Sequence, residues 1–186
     1  HKDYVFENNS ATSPSTMYFE YKVTLKDTTN ADFPDGTFYR YNNVIYKSFA
    51  DILKAYKDVA GLFKGQTAEQ LKAELEKAKT EPTDKNAKSV GTKLSEFRAK
   101  YDIEVFNEGK TYYKQVIQDQ YLKKDKELIP NVIQRNSIYQ LTVNKIFNVG
   151  AQVPNGEIDK NGLFYLNVTV TVNPWVLNTQ DVTLGD

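Results

Sequence analysis

The sequence has no cysteine, and its 186 residues include one histidine, one methionine and one tryptophan. Without cysteine there is no disulfide scaffold, no thiolate nucleophile and no cysteine-based metal centre. The lone histidine is His1, a terminal residue rather than a general base. Arginine is scarce: Arg40, Arg98 and Arg135 are the only three, and arginine is the usual bidentate phosphate reader. Lys+Arg and Asp+Glu stand at 24 each, so no net field draws in nucleic acid or an anionic membrane. No apolar run is long enough for a transmembrane helix or a leader peptide. The chain opens without Met, which suits a mature product or a fragment and leaves secretion open.

What is present is a folded, strand-leaning composition. Hydrophobic residues make up 40% and aromatics 13%, with 13 Tyr against 10 Phe, which sets the chain apart from disordered sequences. The length fits one large domain with a real core.

Strand periodicity opens the chain. In 17–25, Met17, Phe19, Tyr21, Val23 and Leu25 share one face, with Glu20, Lys22 and Thr24 on the other. The runs 37–41 and 44–46 flank Asn42-Asn43, a two-residue turn because Asn tolerates positive φ. From Ser48 the period changes: Phe49, Ile52, Leu53, Tyr56, Val59 and Phe63 follow helical spacing, with Ser48 as N-cap. Thr67 and Gln70 form a capping box for a second helix with Leu71, Leu75 and Ala78 as its stripe. After the loop TEPTDKNAKS, a third helix carries Leu94, Phe97 and Tyr101. Strand signals return at 103–106, 111–118, 138–147 and 164–172. The order of strands, helices and strands predicts a mainly β protein, two packed antiparallel sheets with a helical insertion at about 48–102.

No sequence feature supports catalysis. There is no G-x-S-x-G, P-loop or dinucleotide fingerprint, so no catalytic residue, cofactor or metal is expected. Glu157-Ile-Asp-Lys-Asn-Gly162 begins like a calcium loop, but the place of the closing bidentate Glu is taken by Val168. A polar turn between strands explains it better. Tyr39, Tyr41, Tyr112 and Tyr113 could form a sugar-stacking surface, although strand tyrosines more commonly pack with their hydroxyls at the rim.

Three stretches carry a resemblance: EGKTYYKQVI, VIQRNSIYQLTVNKIFNVGAQVP and VTVTVNPW. Together they resemble the C-terminal domain of fimbrillins from type V pili of the Bacteroidia. The matching residues are Gly109, Tyr112, Tyr113, Arg135, Asn136, Tyr139, Gly150, Pro154 and Trp175, over somewhat under half of the chain. The helical middle is less well covered, and its length is most like that of stalk subunits of short fimbriae.

The resemblance implies a transthyretin-like antiparallel β-sandwich in a non-enzymatic, structural subunit. Its precursor would be a lipoprotein exported to the outer membrane, trimmed by an Arg-specific protease and polymerised by donor-strand exchange. Partners would be other copies of the subunit, accessory anchor and tip subunits, and host or bacterial surfaces in adhesion and biofilm formation; nucleic acid is not among them. On this reading residues 1–175 are the sandwich domain and 176–186 an extension beyond it. The extension, VLNTQDVTLGD, places Val176, Val182 and Leu184 on one parity and Leu177 on the other. It suits a donor strand, and equally an edge strand folded back on its own domain. Two rivals stand beside this reading: a carbohydrate-binding surface domain using the four tyrosines above, and a Gram-positive-type pilin domain with a Lys–Asn isopeptide bond.

Overall fold

The computed structural model describes residues 5–8, 10, 12–117, 120–122, 128–130, 133, 137–154 and 166–174. The chain divides into two compact units. One comprises Tyr18–Tyr113 with Phe147–Tyr165, and the other His1–Met17, Lys114–Ile146 and Leu166–Asp186.

In the first unit, β2 (Phe38–Tyr41) lies between β3 (Val44–Tyr46) and β4 (Glu104–Phe106), antiparallel to both. The β2–β3 turn is Asn42-Asn43, with φ of 49° and 62°, the doubly positive turn that matches strand twist. Three helices fall between β3 and β4 in sequence: α1 (Phe49–Ala55), α2 (Ala68–Lys79) and α3 (Val90–Tyr101). Each starts where a hydroxyl satisfies an orphan amide. Ser48 accepts from Asp51 N, Ser89 from Thr92 N, and Thr67 with Gln70 closes a reciprocal box. The expected first helix reaching Phe63 is corrected: α1 stops at Ala55, and Gly61, Lys64 and Gly65 all take positive φ. Val59, expected on its apolar stripe, is 49% exposed.

Period-two alternation sorts β2 into two buried faces. Tyr39 and Val105 meet the helices, where Tyr39 stacks on Phe49 at 4.2 Å between centroids and Phe97 lies 6.0 Å from Phe49. Phe38, Arg40, Glu104 and Phe106 occupy the opposite face, with Phe38 stacked on Phe106 at 4.8 Å. Both faces of this small sheet are therefore covered, and β2 has no solvent side.

Elsewhere β1 (Thr16–Lys22) pairs with β5 (Lys110–Val116), and β6 (Gln120–Leu122) with β7 (Leu128–Pro130). The second unit also holds β8 (Ser137–Ile146) and β9 (Leu166–Pro174), an antiparallel ribbon registered from Ser137↔Pro174 to Ile146↔Leu166. The described architecture is thus mixed α and β: three helices and four small sheets, antiparallel wherever a register is defined.

Candidate assembly elements

The Gly-x-x-Tyr-Tyr stretch begins with a backbone crossing. Residues 107–109 form one 3-10 turn, and Gly109 leaves it at φ 75°. Its carbonyl accepts from Val23 N at 2.8 Å, and a Cβ at Gly109 would lie 2.3 Å from Val23 O. Only glycine satisfies both the conformation and the approach.

Tyr112 and Tyr113 alternate on β5 and do different work. Tyr112 exchanges both backbone hydrogen bonds with Ala151, at 2.9 and 2.8 Å. Burial, with the Glu20 carboxylate beside it, pushes its phenol up to about 12. Tyr113 is buried, donates its hydroxyl to the Asn148 carbonyl, and meets Tyr21 edge-on at 6.0 Å. Burial raises its phenol too. Gly150 sits between these tyrosines: a Cβ there would lie 2.3 Å from Tyr112 O and 3.0 Å from a Tyr113 ring carbon.

The same segment is gripped by a charged pair. Arg40, 3% exposed, makes a two-pronged contact with Glu104 and donates to the carbonyls of Val149 at 2.8 Å and Gly150 at 3.1 Å. Its guanidinium lies 5.1 Å from the Phe106 ring centroid, and Arg98 approaches Glu104 at 3.6 Å. Gln152 continues the attachment: its side-chain oxygen accepts from Val105 N at 2.5 Å, and its amide nitrogen donates to Leu94 O at 3.4 Å. Residues 148–152 are thus held by two tyrosines, one arginine and one glutamine, largely through main-chain atoms.

The ribbon has a different character. On β8, Tyr139, Leu141 and Val143 share a half-buried face, opposite Val172, Val170 and Val168 in register. The alternate positions Ile138, Gln140, Thr142 and Asn144 are exposed, Ile138 at 52%. The register slips by one residue between Val143 and Lys145, placing an extra residue on β8.

Of the residues singled out from sequence, the structure brings Tyr112, Tyr113 and Gly150 together, sets Gly109 against Val23, and places Tyr139 on the ribbon. Arg135, Asn136, Trp175, Val176, Leu177, Val182 and Leu184 lie outside the described residues, as does the loop from Glu157 to Gly162. Tyr39 and Tyr113 are buried and committed to Phe49, Asp32 and Asn148, so neither ring offers a sugar-stacking face. Tyr41 packs edge-on against Tyr56 at 5.0 Å. Sequence reasoning missed Arg40, Glu104 and Gln152. The available signal was a charge of each sign inside a short apolar strand, FYRY and EVF, although nothing local says that the two strands pair.

Among the described residues, no group of three His, Asp or Glu side chains could hold a metal ion, and no helix is long and apolar enough to cross a membrane. No curated protein matches the chain. Residues 104–181, from β4 through β9 and beyond, match the family model described as Major fimbrial subunit protein type IV, Fimbrillin, C-terminal, and that match supports a fimbrillin C-terminal domain from a family of structural, non-enzymatic filament subunits.

Proposed function

We propose that the chain is the C-terminal part of a structural subunit of a cell-surface fimbria, of the stalk type found in the short (minor) fimbriae of Porphyromonas. Copies join head to tail, and the connector is Val176–Asp186, donated as a strand to the next copy. Residues 1–175 act as a transthyretin-like sandwich that carries the helices as an insertion. Export as an outer-membrane lipoprotein, docking to accessory anchor and tip subunits, and support of adhesion and biofilm formation complete the reading.

The observation that carries it, beside the family match, is the β8–β9 ribbon: two long strands with a half-buried apolar face, followed directly by an alternating segment. Main-chain hydrogen bonds to a sheet edge supply affinity, and alternate side chains supply register. Burying Val176, Val182 and Leu184 would contribute on the order of 1.5–3 kcal/mol each. Such a contact is heterologous, so repetition gives an open filament rather than a closed ring.

The test is deletion of Val176–Asp186 from the subunit in the cells that make it, read by electron microscopy and by high-mass ladders on mild-detergent gels. Folded, exported subunits that no longer form filaments are the expected outcome. Unchanged filaments would refute the connector role.

A further inference from the structure

Strand exchange needs an edge to receive the strand, and the ribbon has two. The β8 edge carries Lys145 and the extra residue between Val143 and Lys145. A lysine and a bulge are two common devices by which an edge refuses another strand. β9 has neither. Its sequence, LNVTVTVNP, contains no charge, its residues follow one another without a break in register, and its one proline is the last residue. Among the described residues β9 pairs with β8 alone. A long, uncharged, β-branched edge is one that natural proteins do not leave bare.

We infer that the outer edge of β9 is the receiving edge, and that its occupant is Val176–Asp186 of a second copy. This rests on the proposed function and adds to it the strand that accepts. The lengths agree: nine residues of β9 span about 30 Å and eleven residues of the segment about 36 Å at ~3.3 Å each. The charges agree as well, because the segment is uncharged up to Asp181.

The chain's own tail is a poor occupant for a chemical reason. A tight two-residue return needs Gly, Asn or Asp at positive φ. Pro174-Trp175-Val176-Leu177 offers none of these, and the first candidate is Asn178. A return at Asn178 leaves only Thr179–Asp186 to pair.

Because the chain has no cysteine, an introduced pair is read without background. Thr171→Cys on β9 is combined with single cysteines along 178–184 in the filament-forming cells, then oxidised mildly and run on non-reducing denaturing gels. Gln140→Cys, opposite Thr171 on β8, is the control. A strand added outside β9 lies within disulfide reach of position 171, whereas β8 is one strand spacing further away. The expected result is a reductant-sensitive ladder of dimers and higher multimers with Thr171→Cys and none with Gln140→Cys.

A ladder from Gln140→Cys alone overturns the choice of edge and leaves strand exchange intact. Cross-linked monomers from Thr171→Cys overturn the second copy as occupant. No cross-link from either position, in filaments that still require Val176–Asp186, removes the ribbon as the acceptor. Filaments that form without Val176–Asp186 refute the proposed function itself.

Discussion

Arg40→Met tests whether the grip on residues 148–152 is the buried arrangement described above. The substitution keeps an apolar stem of similar reach and removes every donor. Glu104, whose side chain is 10% exposed, then keeps only Arg98 at 3.6 Å, and the carbonyls of Val149 and Gly150 lose their partner. Removing one member of a buried pair costs about 3–5 kcal/mol, because a charge is left without compensation. Arg98 softens that loss, which places the expected value near the lower end, about 3 kcal/mol. With a urea m-value of about 2 kcal/mol/M, the unfolding midpoint should fall by about 1.5 M. The assay is urea unfolding followed by near-ultraviolet circular dichroism of the tyrosines, with m compared between variants. Arg40→Met with Glu104→Met together should recover most of the loss, since two apolar side chains leave no stranded charge. A midpoint shift below about 0.5 M, or a double variant as unstable as the single one, would refute the reasoning.

Two further expectations follow from the glycines and the carboxylates. Gly109→Ala places a methyl 2.3 Å from Val23 O at φ 75°, so it should cost at least the ~1–3 kcal/mol of a strained backbone position; Gly150→Ala should speed hydrogen exchange at the Tyr112 and Ala151 amides, and unchanged rates there would contradict the close approach. In Asp35, burial works to raise the carboxyl pKa but is outweighed by hydrogen bonds from Lys79 and Thr37, which hold it below its ordinary 3.8; the stabilisation is therefore complete above that value and is lost as pH falls through and beneath it. Lys79→Gln should flatten the acid limb of a stability–pH profile, and an unaltered limb would show that the pairing does not couple to folding.

The local chemistry of the first unit was legible in the sequence. Ser48, the Thr67–Gln70 box and the Asn42-Asn43 turn act through neighbours within three residues, so their partners lie within the same short stretch. The reach of α1 was not legible, because Val59 and Phe63 keep a helical spacing that the positive-φ residues Gly61 and Lys64 interrupt. Phe63 is buried all the same, from a turn rather than a helix. The β6–β7 pair was missed, since three residues per strand are too few to show a period. The grip on 148–152 lay further from view. Arg40 and Glu104 stand 64 residues apart, and Gln152 acts through a side chain on a main-chain amide of another strand. Contacts of that kind leave no periodic trace. The motif residues Tyr112, Tyr113 and Gly150 were legible as a set only through resemblance, and their meeting is a matter of backbone approach rather than of spacing.

Gln152 has a consequence for a molecule that lives by adding strands. Its carboxamide carries an acceptor and a donor, the pair that a passing peptide group would present, and it spends the acceptor on Val105 N at the margin of the β3–β2–β4 sheet. An amide already answered in this way is closed to a foreign chain. A polymer grown by strand donation branches or clumps wherever a second vacancy exists, so its monomer has to be unresponsive along every border but one. A single neutral side chain achieves that on β4 without placing another charge in the interior and without lengthening the chain.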